Sequence, residues 1–382
     1  MQPITIQAVH LHPVALPLVE PLRTSFGVEP FKSAILCEVV TKEGVIGWGE
    51  SAVAPAPGYA GETMATAYHL LKHFLAPLLI NKTLSSPYDA RPILAFIRDN
   101  KHARAGLEMA VWDAFAKANG LRLADLFAHY LGQPSTNRAV VGVSIGIQPS
   151  VEDTLKIIRK RLDQGYKRIK LKIEPGWDIE LARGVRAVLP DTMLMLDANS
   201  AYRLEDADHL AQLDAFNLIM IEQPLAHDDI YEHSKLQPRL KTPICLDESV
   251  KSANDLRLAL ELGAIGVLNL KPARVGGFAE SLDMMAICAE RALPLWIGGM
   301  LETGIGRAAN VALASLPPVT LPCDISATDR YFAQDITEPP FVLQADSTLS
   351  VPDGLGIGVE VQRERLEAAV ALWQAEADYP LG

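Results

Sequence analysis

The sequence predicts an α/β chain in which a β/α barrel carries a smaller α+β domain. Three observations carry that expectation. Short apolar runs alternate with amphipathic stretches from about residue 140 onward, a different strand-and-helix pattern precedes them, and five charged residues recur at nearly constant spacing along the runs.

The runs are VVGVSI (140–145), RIKLKI (168–173), MLMLD (193–197), LIMIE (218–222), PICLD (243–247), GVLNLK (266–271), PLWIG (294–298) and, more weakly, TLPCDI (320–325). Apolar runs of this length separated by helical stretches read as βα units, and eight strands is the number that closes a barrel. Helix punctuation agrees: Ser150 stands three residues before Asp153 and Ser252 three before Asp255, each placed to cap a helix start, and Gly165 and Gly263 fall where those helices should stop.

Before the barrel, ITIQAVHLHPVAL and AILCEVVTKEGVIGWGE read as strands joined through a polar loop, followed by helices near 62–79, 87–98 and 101–118. After residue 335, FVLQADSTLSVPDGLGIGVEV reads as short strands and turns, and a closing helix is expected near 362–376. This tail is expected to return to the first domain.

Composition narrows the function classes. The chain has 382 residues, 49% hydrophobic and 21% charged, which is long enough for a barrel and an accessory domain. A net charge of −11 and the lack of any basic run argue against a nucleic-acid surface. No apolar stretch approaches the length of a membrane span, and the first 22 residues carry no Lys or Arg, so a cytoplasmic protein is expected. Cys37, Cys245, Cys288 and Cys323 show no metal-site or redox spacing and read as buried free thiols.

Lys172, Asp197, Glu222, Asp247 and Lys271 follow one another in steps of 25, 25, 25 and 24 residues. One βα unit of a barrel is about that long, and each residue ends, or nearly ends, a run, so the five should converge on one barrel mouth. Three carboxylates in one site repel each other unless a cation neutralises them. Oxygen donors with no neighbouring Cys or His favour Mg²⁺, with Mn²⁺ as the substitute. Lys170 and Lys172, two apart on one strand, point to the same side, while Ile169, Leu171 and Ile173 face the helices. With three strands between them, Lys172 and Lys271 would meet a bound molecule from opposite sides. That pattern suits removal of a proton α to a carboxylate, where an amine acts as base and a cation stabilises the enediolate.

The motifs KLKIEPGWD (170–178), LDANSAY (196–202), IEQPL (221–225), LDES (246–249), LNLKPARVGG (268–277) and GGMLETGIGRAAN (298–310) together resemble the enolase superfamily. Within it, the chain resembles the muconate-cycloisomerase-like subgroup and its o-succinylbenzoate synthase / N-succinylamino acid racemase family. The resemblance implies a modified TIM barrel, (β/α)7β, with an α+β capping domain. The expected division is 1–135 for the cap, 136–335 for the barrel and 336–382 for a tail returning to the cap. It also implies Lys172 and Lys271 as acid/base residues, Lys170 as added positive charge, and Asp197, Glu222 and Asp247 as Mg²⁺ ligands. Two cap loops, PLRTSFG (21–27) with Arg23 and Phe26, and APAPGYAGET (54–63) with Tyr59, would close on the substrate.

Ser144, Asn199, Arg274 and the turn Gly298-Gly299-Met300 also lie at strand ends and are expected to contact substrate. Arg274 matches an arginine of family members that racemise N-succinylamino acids; a salt bridge at the barrel end is its other reading. His102, Glu108, Trp112 and Asp113 resemble a family helix before the barrel, with no chemistry assigned.

The expected function is a Mg²⁺-dependent o-succinylbenzoate synthase, dehydrating 2-succinyl-6-hydroxy-2,4-cyclohexadiene-1-carboxylate in menaquinone synthesis, also competent as an N-succinylamino acid racemase. In either case the partner is a small carboxylate with a succinyl arm, and the enzyme is expected to be a homo-oligomer. Alternatives are racemisation as the physiological role, cycloisomerisation or dipeptide epimerisation, and a non-catalytic metal-stabilised binding protein. Sugar-acid dehydration is disfavoured, because the superfamily's sugar-acid dehydratases usually place a histidine base where Lys271 stands, and no histidine follows His233.

Overall fold

Apolar runs that alternate with helices satisfy their backbone by pairing side by side in parallel, and seven of them do so. Val143–Ile145, Arg168–Lys172, Met193–Asp197, Ile221–Glu222, Ile244–Leu246, Val267–Leu270 and Leu295–Ile297 form one parallel sheet in chain order. The computed structural model of the chain describes residues 1–24 and 27–376. Register sets Lys172 opposite Asp197 and Asp197 opposite Glu222, so the first three ladder residues stand in one row across neighbouring strands.

The eighth run is not a regular strand. It joins the sheet through single bridges, Leu295 with Val319 on one side and Val141 with Cys323 on the other. Cys323 N donates to Val140 O at 2.8 Å, Gly142 N to Cys323 O at 2.8 Å, and Asp324 N to Ile297 O at 2.9 Å. Pro322 brings no N–H to a ladder, which is why closure here is made of isolated bonds. The barrel is closed all the same, as the (β/α)7β expectation requires.

The predicted caps are in place. Ser150 Oγ accepts from Asp153 N at 3.0 Å and Ser252 Oγ from Asp255 N at 3.1 Å. All four cysteines are free and buried. Among the described residues no helix is long and apolar enough to cross a membrane.

The N-terminal domain is an antiparallel sheet of Ile4–Thr24, Gly27–Thr41 and Ile46–Ser51, edged by the short strand Thr83–Leu84. The helix Lys101–Ala118 lies across it at very short range. A Cβ on Gly49 would sit 2.0 Å from Gly106 O, and one on Gly47 2.2 Å from Ala110 O, so only glycine permits this contact. The helix expected over 62–79 runs from Met64 to Leu79 with a π-turn at Leu71–Leu75. The one expected over 87–98 is shorter, Pro87–Leu94, with turns after it and left-handed backbone at Asp99 and Asn100 before the next helix.

The tail is divided. Its strand Thr348–Ser350 pairs with Arg138–Val140, at the entry to the barrel rather than in the cap, while the helix Arg363–Glu376 packs on the first cap strand. There Arg363 Nη1 donates to Glu38 Oε2 at 3.0 Å, and the guanidinium stacks over Trp48 at 4.9 Å.

Buried carboxylates of the cap close the starts of two barrel helices. Glu50 accepts from Thr303 N at 3.0 Å, Thr303 Oγ1 at 2.7 Å and Gly306 N at 3.2 Å, where the helix Gly304–Ala314 begins. Glu108 accepts from Phe278 N at 2.6 Å and Ala279 N at 3.0 Å, at the start of Phe278–Glu290. These are free N–H groups that something must satisfy. Burial pushes both carboxyls up to about 7.

Candidate active site

The ladder residues meet where strand ends come together. Lys172 Nζ lies 2.6 Å from Asp197 Oδ2 and 2.5 Å from Asn199 Oδ1. Lys170 Nζ, one inward-facing position earlier, is 3.2 Å from both Asp197 Oδ2 and Glu222 Oε2 and 2.8 Å from Asp324 Oδ2. Lys271 Nζ is 2.8 Å from Asp247 Oδ2 and 3.2 Å from the Tyr59 hydroxyl. The Tyr59 hydroxyl donates to Asp247 Oδ1 at 2.9 Å, and its ring lies 4.3 Å from the Lys271 ammonium, a cation–π contact.

Burial and charge act against each other throughout this cluster. Burial disfavours the charge of Asp197, but the amines of Lys172 and Lys170 outweigh it and hold the carboxyl well below its ordinary value. Asp247 is likewise held down by Lys271 and Arg274 against burial. Glu222 has less help: burial and repulsion from Asp197 push it up to about 7. Glu248, buried beside Asp247, is pushed up to about 8 by burial and that neighbour's charge, and its Oε2 has no hydrogen-bond partner among the described residues. Lys170 and Lys271 are buried, yet the surrounding carboxylates raise both amines above their ordinary value.

A cavity of about 370 Å³ opens over the ladder between barrel and cap. Of the residues expected in the site, Lys170, Lys172, Lys271, Tyr59, Ser144, Asn199, Gly299 and Met300 line it. Asp197, Glu222 and Asp247 lie behind the amines. Gly298 does not reach the wall; a Cβ there would stand 2.1 Å from Asn269 Oδ1 and 2.8 Å from Lys271 Cε, so its role is to let those side chains pass. Arg274 does not reach the cavity either. It is buried behind Asp247, donating to Asp247 Oδ1, to Val250 O at 3.0 Å and to Asn269 O, which matches its salt-bridge reading. Arg23 is described only by its backbone, in the hairpin pairing with Val28, and Phe26 lies outside the described residues.

His102 has a structural place. Its Nδ1 lies 3.0 Å from Ala52 O, its ring meets Tyr59 edge-on at 6.1 Å, and burial holds the imidazole down near 4, hence neutral.

Several wall residues escaped sequence reasoning. Asp324, held down to about 2 because Lys170 and Arg168 outweigh its burial, ends the irregular eighth run. Its signal was that it occupies the same strand-end position as the ladder residues. Lys32, Arg330 and Tyr331 also line the cavity but belong to no ladder and no cap loop. Nothing in their spacing marks them.

Among the described residues, no three His, Cys, Asp or Glu side chains gather closely enough to hold a metal ion as they stand. The expected cage of Asp197, Glu222 and Asp247 is thus not assembled in this arrangement; lysines and Arg274, with the Asn269 amide on Glu222, Asn199 N on Asp197 and the Tyr59 hydroxyl on Asp247, claim their oxygens. The donor set still fits a hard divalent cation. It is all oxygen, it sits on successive strand ends, and Glu222 and Glu248 are carboxyls that the present cations leave under-neutralised.

The chain matches the model of the mandelate racemase / muconate lactonizing enzyme N-terminal domain over residues 6–128 and that of the enolase C-terminal domain-like family over 153–365. It is 47% identical over 365 residues to an o-succinylbenzoate synthase of Geobacillus kaustophilus, covering 95% of this chain and 96% of that one. It is 46% identical over 370 residues to an N-succinylamino acid racemase of Thermus thermophilus, covering 97% and 98%. A crystal structure of an enolase-superfamily member from Listeria innocua superposes with a TM-score of 0.91 at 41% identity over 96% of this chain and 97% of that one. Muconate lactonizing enzyme from Pseudomonas fluorescens superposes with a TM-score of 0.89 at 26% identity over 96% and 99%. With the ladder, the closed barrel and its cap, these matches establish that the chain is an enzyme of the enolase superfamily and belongs, within the muconate-cycloisomerase-like subgroup, to the o-succinylbenzoate synthase / N-succinylamino acid racemase family.

Proposed function

We propose that the chain is an o-succinylbenzoate synthase that removes the proton α to a ring carboxylate of 2-succinyl-6-hydroxy-2,4-cyclohexadiene-1-carboxylate. The observation that carries this reading is the pair Lys172 and Lys271, two amines from strands with three others between them, both on the wall of one cavity. Lys172 takes the proton, and the hydroxyl then leaves as water with a proton returned to it, which makes the ring aromatic. Lys271 faces the other side and stabilises developing negative charge. Lys170, buried between Asp197, Glu222 and Asp324, adds a fixed positive charge below the carboxylate position.

Asp197, Glu222 and Asp247 would hold Mg²⁺, or Mn²⁺ in its place. Such an ion supplies the positive charge that lowers the acidity barrier of a carbon acid next to a carboxylate. The protein's part is to orient the carboxylate with Lys170, to keep the two amines at the faces of the carbon, and to close the cavity with the Tyr59 loop.

N-succinylamino acid racemisation is the second reaction of the same site. A base on each face of one α-carbon is what racemisation demands, and Lys172 and Lys271 both stand on the cavity wall. The test is to follow, side by side, dehydration of the cyclohexadiene substrate and α-proton exchange of N-succinylamino acids in heavy water. A chain that does neither with Mg²⁺ present is not the enzyme proposed.

A further inference from the structure

One cation on the cavity wall has more positive charge beside it than its surroundings balance. Arg330 lines the cavity with its side chain 9% exposed. Its Nη1 is 3.5 Å from Glu20 Oε2, and its Nε is buried with no hydrogen-bond partner among the described residues. Glu20 is already engaged: Lys160 Nζ lies 2.7 Å from its Oε1, and the Arg161 guanidinium donates to its Oε2. Three cations thus share one carboxylate. Their crowding is visible at Arg161, whose guanidinium is held below its ordinary value by burial and by the charge of Arg330.

The other cations of the wall are differently placed. Lys170, Lys172 and Lys271 each touch a carboxylate within 3.2 Å. Lys32 lies near enough to Glu50 for its charge to lower that carboxyl. A buried guanidinium N–H left without an acceptor is costly, and a planar fork with spare donors suits a carboxylate. Arg330 therefore keeps donor capacity beyond Glu20 on a side chain that lines the cavity.

We propose that Arg330 is the subsite for a second, distal carboxylate of the substrate, so that the cavity selects dianions: one carboxylate at the ladder and the other, the end of the succinyl arm, at Arg330. Glu20 is the internal anion that holds Arg330 until the arm replaces or joins it. This inference rests on the reading of the site as one for α-proton removal from succinyl-bearing substrates.

The test compares α-proton exchange of N-succinyl and N-acetyl forms of one amino acid, which share the reacting carbon and differ in the distal carboxylate. For Arg330→Gln the ratio of kcat/KM, N-succinyl over N-acetyl, should fall about ten- to a hundredfold, through KM, and Arg330→Lys should recover part of it. Should Arg330→Gln fail to fold, Arg330→Lys alone should still lower the ratio. Equal losses for both substrates, or none for either, would overturn the subsite while leaving the proposed reaction standing. Wild-type enzyme that exchanges N-acetyl substrate as well as N-succinyl would also overturn it. Wild-type enzyme that exchanges neither, and dehydrates nothing, removes the reading and this inference together.

Discussion

Lys172 Nζ and Asp197 Oδ2 stand 2.6 Å apart on residues that face each other across paired parallel strands. A base and a carboxylate set by backbone register, not by loops, keep their separation without further support. Replacing Lys172 by Ala should therefore remove the base without disturbing the sheet. Dehydration and α-proton exchange should both fall by about 10² to 10⁴, with the thermal midpoint of the variant close to that of the parent. Unchanged exchange in heavy water would defeat the assignment of Lys172.

Lys271 separates the two reactions. If it is a base for one face of the α-carbon, Lys271→Ala should block exchange from one enantiomer of an N-succinylamino acid and spare exchange from the other. If it acts only through charge, both enantiomers should slow alike. Following exchange from each pure enantiomer by proton NMR decides between them.

Metal dependence can be read with whichever substrate the enzyme turns over. Chelation followed by Mg²⁺ or Mn²⁺ should remove and restore activity, and direct titration should show one divalent site that Glu222→Gln weakens by at least tenfold. Retention of full activity after exhaustive chelation would sink the carboxylate assignment.

Gly49→Ala should destabilise the cap. The new methyl would lie 2.0 Å from Gly106 O, a backbone atom that cannot rotate away. Overpacking of this kind costs about 1–3 kcal/mol, to be read as a lower urea midpoint at constant slope.

The Glu38–Arg363 contact should make stability fall in acid. Burial alone would raise the Glu38 carboxyl, but hydrogen bonds from His12 and Arg363 hold it near 2 against an ordinary 4.5. A folded-state value below the unfolded one means that the contribution is complete above about 4.5 and disappears as pH falls toward 2. Glu38→Gln should accordingly be less stable than the parent at pH 6, and the gap between the two melting curves should shrink below about pH 4.5 and close as pH approaches 2.

The ladder was legible because a barrel repeats its unit, so that one strand-end position recurs at a countable interval. Lys172, Asp197, Glu222, Asp247 and Lys271 were visible for that reason, and the (β/α)7β topology with them. Asp324 obeys the same rule but ends a run interrupted by Pro322, and the weak strand pattern hid it. Arg330 and Lys32 were not legible at all, since they reach the cavity from positions whose neighbours carry no period. Arg274 was placed in the site because it lies at a strand end and matches a family arginine; in the one-turn helix Pro272–Val275 its side chain turns behind Asp247 instead of over it. Pairing of Thr348–Ser350 with Arg138–Val140 depends on long-range register that no local pattern encodes.

Glu50 and Glu108 reach from the cap to finish two barrel helices, whose own first turns supply no side chain for those N–H groups beyond Thr303. Neither half of the chain is therefore a self-sufficient module. A chimera that joins this cap to a relative's barrel would inherit helix ends shaped for a different carboxylate, and the fault would show first in the Gly299–Met300 turn that borders the cavity. Exchange of specificity between relatives should work when loops are swapped within one chain and fail when whole domains are.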